Sequence, residues 1–138
     1  FLAWQGMNII YYEKLFGLSI DFFRPMYSLV KRQSEVEILP MCAVNKIAVT
    51  TYSHITVGLL TGNDLRDERG RLVEDSRYAL RYKLAFMRDT AKKLCDLADT
   101  LRTDPETLAV AWMRSHPKQL LPIVSVLGRI NSCNQLRR

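Results

Sequence analysis

No apolar run in this sequence approaches the roughly 20 residues that a bilayer span requires. The opening residues, Phe1-Leu2-Ala3-Trp4-Gln5, carry no positive charge and so lack the charged n-region of a secretory leader. They also lack an initiator Met, and the chain is therefore expected to be a piece of a longer one. Cysteine is scarce. Cys42, Cys95 and Cys133 are widely spaced, with no Cys-x-x-Cys and no histidine placed to complete a zinc site. They read as reduced, mostly buried thiols of a cytoplasmic protein. Gly-x-Gly-x-x-Gly, the P-loop and the Gly-x-Ser-x-Gly elbow are all absent. No metal site is expected.

The remaining composition is that of an ordinary globular chain, with 48% hydrophobic and 25% charged residues among 138. That excludes a disordered tail, because there is enough apolar surface to drive burial. Twenty Lys and Arg against fourteen Asp and Glu give a net charge of +6. The densest basic stretch, Arg66 to Lys93, has Asp64, Asp67, Glu68, Glu74, Asp75 and Asp89 in or beside it. Such interleaving makes a solvated helix surface, whereas a nucleic-acid reader shows one-sided basic clusters with stacking aromatics. No nucleic-acid partner is expected.

Periodicity predicts a helix over 1–16, with Leu2, Met7, Ile10 and Leu15 as an apolar stripe and Gly17 as its left-handed stop. Ile20 to Tyr27 reads as a strand with Pro25 near its end. Ser34 and Glu37 have capping-box spacing, and a helix to about Val44 should follow, containing Pro40 and ended by Asn45. Lys46 to Tyr52 is the strongest strand pattern. A long connection from Ser53 to about Asp75 contains Gly58, Gly62 and Gly70. One helix is predicted over 79–101 from Leu84, Met87, Ala91, Leu94, Ala98 and Leu101. Asp104-Pro105 marks another start, with Leu108, Ala111, Trp112 and Ser115 as its buried face. Leu120 to Val126 reads as a third strand, and Asn131 as the cap of a last helix. Strands alternating with helices imply a parallel sheet in an α/β fold.

Three stretches, in order, resemble one family. Arg24-Pro25-Met26-Tyr27-Ser28-Leu29-Val30-Lys31-Arg32-Gln33 with Glu35-Val36-Glu37-Ile38-Leu39-Pro40 is similar to the sixth strand and helix of aldo-keto reductases. Tyr52-Ser53-His54-Ile55 with Gly58-Leu59-Leu60-Thr61-Gly62 is similar to the loop after their seventh strand. Leu108-Ala109-Val110-Ala111-Trp112, Ser115-His116-Pro117 and Pro122-Ile123-Val124 are similar to their late helix and eighth strand. The chain looks most like the bacterial members related to potassium-channel β-subunits. The resemblance implies a (β/α)8 TIM barrel, of which residues 1–138 would be an incomplete C-terminal part holding strands six to eight. It also implies NADPH-dependent reduction of a small carbonyl substrate. Sites of such barrels lie at the C-terminal ends of the strands.

By that resemblance the coenzyme contacts fall on named positions. Tyr52 matches the aromatic residue that stacks on the nicotinamide. Ser53, Ile55 and Gly58 match the pyrophosphate turn. Gly128 and Arg129 resemble the Gly-x-Arg that meets the adenosine 2′-phosphate, with Val126-Leu127 looking inserted, and Gln135 matches a glutamine at the adenine end. Arg24 stands where the family usually has the Gln that holds the carboxamide. His54 replaces a Pro, and Asn63 replaces the Lys of Thr-Gly-Lys-Tyr. The family's catalytic Asp, Tyr, Lys and His lie before strand five, so no catalytic residue is assigned here, and neither His54 nor His116 matches its His. The expected partners are the carbonyl substrate and either the missing N-terminal half of the barrel or an oligomer partner. The alternative is a non-enzymatic scaffold or regulatory subunit with the same fold.

Overall fold

The computed structural model describes residues 3–17, 19–62 and 76–124. Its first helix, α1 (Ala3–Phe16), ends at Gly17, whose φ is +69° and whose N–H donates to Glu13 O at 2.9 Å. Of the predicted apolar stripe, α1 buries Ile10 but neither Met7 nor Leu15, and Leu2 lies outside the described residues. Gly6 is its other buried residue. The reason is close approach: a Cβ at Gly6 would sit 2.9 Å from Met41 Cε. The helix therefore meets its neighbour along a line through Gly6, while Trp4, Tyr11, Tyr12, Leu15 and Phe16 remain more than half exposed.

Strand β1 is only Phe22–Phe23, shorter than the strand expected over Ile20 to Tyr27. Pro25 has no N–H to give a ladder. Pairing resumes past it as a single parallel bridge, Met26 to Tyr52. The capping box does not form either. Ser34 lies inside a 3₁₀ turn, Gln33–Glu35, and its hydroxyl donates to Met26 O at 3.0 Å. Helix α2 (Ile38–Val44) starts from Glu37, which makes no side-chain cap bond. Pro40 sits in the first turn of α2, where its missing N–H costs nothing. Asn45 ends the helix as expected, with both its backbone N–H and its side-chain amide on Met41 O, at 3.1 and 2.8 Å.

Strand β2 (Ala48–Thr51) is the centre of a three-stranded sheet. A second 3₁₀ segment, Thr56–Thr61, follows it. The single helix expected over 79–101 is two helices, α3 (Ser76–Arg81) and α4 (Ala85–Leu101). The break comes where Tyr82 is buried and Leu84 is extended at φ −70°, ψ 132°. On α4, Met87, Ala91, Leu94 and Ala98 are buried as the periodicity predicts, but Leu84 and Leu101 are exposed. Helix α5 (Pro105–Arg114) begins at Asp104 with Pro105 in its first turn. It is rotated from the expected face: Ala109 and Met113 are buried, whereas Ala111 and Ser115 are exposed. Trp112 is half-buried and stacks on the fully buried Tyr27. Strand β3 is Leu121–Pro122. The expected last helix from Asn131 lies outside the described residues.

All strand pairs are parallel, in the order β1-β2-β3. One core lies between the sheet and its helices, around Tyr27, Leu39, Cys42, Val49, Met113 and Leu120. A second joins the Thr56–Thr61 segment to α4 and α5 through Leu59, Leu60, Met87, Ala91 and Ala109. This is a small α/β unit of the kind a sector of a parallel barrel would form. Among the described residues, neither outer sheet edge is paired. Trp4, Tyr11, Phe16, Phe22, Leu121 and Val124 are each more than half exposed. Cys42 and Cys95 are both buried, and neither is in a disulfide.

Candidate functional site

The three strands bring their carboxyl ends together. Phe22 pairs with Ala48 and Phe23 with Val49, so the β1–β2 register runs forward to Met26 and Tyr52. On the other side Thr51 pairs with Pro122, and Ile123 N–H donates to Thr51 O at 2.9 Å. Tyr52 is therefore the first residue beyond the tip of the central strand, with 41% of its surface exposed. Arg24, Tyr52 and Ile123 line one open cleft of about 450 Å³. The structure thus brings Arg24 and Tyr52 together, as the sequence reading expects. Asn63, Gly128, Arg129 and Gln135 lie outside the described residues.

The chain then folds into a tight turn. Ser53, Thr56, Val57 and Gly58 all have positive φ, of 66°, 51°, 60° and 106°. Two of these are β-branched, for which the left-handed region is costly. The turn is held by its own hydrogen bonds and by what it anchors. Thr56 N–H donates to Ser53 O at 3.0 Å, and Ile55 O accepts from Gly58 N–H at 3.0 Å and Leu60 N–H at 3.2 Å. The Thr61 hydroxyl donates to Gly58 O at 2.7 Å. Leu59 and Leu60 pin the segment into the second core. The N–H groups of Thr56, Gly58 and Leu60 are thus used within the turn. The half-buried Ser53 and the partly exposed Ile55 remain at its surface.

His54 lies beneath this turn with only 5% exposure. Neither of its ring nitrogens has a hydrogen-bond partner, and the buried hydroxyl of Thr56 has none either. Burial pushes the imidazole below its usual range, against an opposite pull from backbone groups of Ile123, Tyr27 and Thr51. The sequence marks His54 only as a replacement for Pro; nothing in its spacing signals a buried, unpartnered ring at the junction of three strands.

A second cluster went unread in the sequence. Glu35 accepts two bonds from Arg32, at 2.8 and 2.9 Å, and a third from the Tyr27 hydroxyl. The Arg32 guanidinium also sits 5.5 Å from the centre of the Trp112 ring. Arg32 holds the Glu35 carboxyl below its ordinary range, while burial together with Glu35 pushes the Tyr27 phenol up. The readable signal was the i,i+3 spacing of Arg32 and Glu35. The cluster fastens the end of β1 to the approach of α2 and to α5. Among the described residues no group of three or more His, Cys, Asp or Glu is arranged to hold a metal, and no helix is long and apolar enough to cross a membrane.

Parallel strands joined through helices, with exposed polar and aromatic side chains at the strands' carboxyl ends, define an α/β protein with a parallel sheet. The Aldo/keto reductase family model matches residues 3–136, and the chain belongs to that family. It is 31% identical over 126 residues to the NADH-specific methylglyoxal reductase of Escherichia coli (strain K12), covering 86% of this chain and 35% of that protein. It is 34% identical over 103 residues to a probable voltage-gated potassium channel subunit beta of Arabidopsis thaliana, covering 68% of this chain and 30% of that one. A protein of the same description from Oryza sativa subsp. japonica is also 34% identical, over 143 aligned positions covering 97% of this chain and 40% of its own length. The chain thus spans two fifths or less of each of these relatives.

Proposed function

We propose that this chain is the C-terminal, coenzyme-binding sector of an NAD(P)H-dependent aldo-keto reductase that reduces aldehydes or ketones. The observation that carries the proposal is the position of Tyr52. It stands at the carboxyl tip of the central strand, on one cleft with Arg24, and leads directly into the left-handed turn Ser53–Gly58. The residues present fit the nicotinamide and pyrophosphate end of such a coenzyme. The exposed Tyr52 ring offers a flat wall to a planar heterocycle. Arg24 offers donors beside it. The half-buried Ser53 hydroxyl would offer a polar group on the phosphate side of the turn.

A bound nicotinamide coenzyme supplies hydride, but reduction of a carbonyl also needs a placed proton donor. Among the described residues, the buried tyrosines are committed elsewhere. The Tyr27 hydroxyl donates to Glu35, and the Tyr82 hydroxyl lies 3.9 Å from Met26 Sδ. This chain therefore binds and orients, and the proton source belongs to the earlier strands of the barrel. Those strands would also pair with the open sheet edge and cover the apolar face of α1. Cys42 and Cys95, buried and outside any disulfide, accord with a reducing, cytoplasmic setting.

The two channel-subunit relatives favour a second reading, a scaffold or regulatory subunit that keeps the coenzyme cleft without turnover. Fluorescence titration with NADPH and with NADH, followed by a turnover assay on methylglyoxal, separates these. The proposal expects coenzyme binding, no turnover by the chain alone, and turnover once the N-terminal barrel half is supplied. Binding without turnover in the completed barrel supports the scaffold. Absence of binding in the completed barrel contradicts both.

A further inference from the structure

His54 is the residue of this chain that its surroundings satisfy least. It is 5% exposed, and both ring nitrogens lack partners. The backbone groups that face it come from Tyr27, beyond β1, from Thr51 at the end of β2, and from Ile123, beyond β3. They pull the ring toward its protonated form, yet none lies in hydrogen-bonding geometry with either nitrogen. A neutral imidazole has one donor and one lone pair. Among backbone acceptors, the lone pair has nothing to accept from. A protonated ring has two N–H donors and would match them, but burial of an uncompensated charge opposes that state. No charged side chain pulls on the ring. Arg24 and Tyr52 line the neighbouring cleft, and the Tyr27 hydroxyl is committed to Glu35.

The missing ingredient is a negative charge, and His54 adjoins the turn at which the proposed coenzyme would place one. We infer that His54 is a positioning residue for that turn: its ring takes up one proton when the dinucleotide's pyrophosphate settles on Ser53–Gly58, and then donates from both nitrogens to the strand-end backbone. The proton comes from solvent, and no other bond changes. The anion offsets the buried charge, and the doubly donating ring ties the turn to all three strand ends. The inference rests on the coenzyme reading of the site.

NADH is the probe of choice, because the 2′-phosphate of NADPH is a monoester that titrates near pH ~6 and would add its own slope. NADH affinity of the intact chain is measured by fluorescence between pH 8 and pH 6, beside the His54→Gln variant. In parallel, the His54 ring is followed by NMR with and without saturating NADH, with His116→Gln used to assign the two histidines. One linked proton makes affinity rise by up to about tenfold per pH unit. The expected result is a rise of about tenfold from pH 8 to pH 6 in the parent, a flat profile in His54→Gln, and an upward shift of the ring's titration midpoint on binding. Equal slopes in the two proteins, or a ring titration unmoved by NADH, overturn the inference and leave the coenzyme reading standing. Absence of NADH binding at every pH overturns both. If His54→Gln does not fold, the ring titration of the parent decides alone.

Discussion

Met26 and Tyr52 form a parallel bridge beyond the last residues of β1 and β2. The pairing is completed by Tyr52 N–H on Pro25 O and Tyr27 N–H on Tyr52 O, both at 3.3 Å. The backbone of Tyr52 is thereby fixed while the residue remains 41% exposed at the cleft. Tyr52→Ala should therefore leave the thermal transition almost unchanged. It should weaken coenzyme binding by about 1 kcal/mol, the order of one aromatic stacking contact, or roughly fivefold in Kd as read by fluorescence quenching.

The Tyr27–Glu35–Arg32 cluster predicts acid sensitivity. Arg32 lowers the Glu35 carboxyl in the fold. A lowered carboxyl contributes stability above the unfolded value of about 4.3, and that stability is lost as pH falls through the lower folded value. Urea unfolding between pH 7 and pH 3 should show this loss. Glu35→Gln should cost about 1 kcal/mol at pH 7 and flatten the acid limb. For Tyr27, whose phenol is raised, the sign reverses: stability is full below about 10 and falls as pH rises beyond it.

Gly62 has φ +74°, and a Cβ there would lie 2.6 Å from Cys95 Sγ. Gly62→Ala meets two separate obstacles, a steric clash and an unfavourable backbone region. It should destabilise the chain by more than about 1 kcal/mol in urea titrations. Adding Cys95→Ala should recover part of the loss, because it removes the sulfur and leaves the backbone term. Full recovery, or none, would show that only one obstacle operates.

The apolar side chains left exposed on α1 and at the strand ends predict strong binding of 8-anilinonaphthalene-sulfonate. Trp4 is 59% and Phe16 69% exposed, and patches beyond a few hundred Å² are unusual on monomers. Supplying the N-terminal barrel half should abolish the dye signal and sharpen thermal unfolding. Low dye binding with a sharp transition in the chain alone would contradict the barrel-sector account.

Much of the architecture was legible because burial sets its periods. The α4 stripe from Met87 to Ala98, the Gly17 and Asn45 stops and the β-branched run of β2 follow directly from residue order. Parallel pairing followed from alternation. What failed was set by partners distant in sequence. Gly6 of α1 packs closely against Met41, and α5 buries Ala109 and Met113 where Ala111 and Ser115 were expected. Ser34 left its capping role for Met26 O, and a buried Tyr82 split one helix into two. At the strand ends, the resemblance pointed to Tyr52 and Arg24, which line one cleft, while the burial of the His54 ring emerged only once three strand ends were placed around it.

The central claim is that a nicotinamide ring lies against Tyr52 at the tip of β2. Its most direct test is a transferred or intermolecular nuclear Overhauser measurement between the nicotinamide protons of NADH and the Tyr52 ring. The account predicts cross-peaks from Tyr52 that vanish in Tyr52→Ala. Saturable NADH binding with no contact to Tyr52 would contradict it.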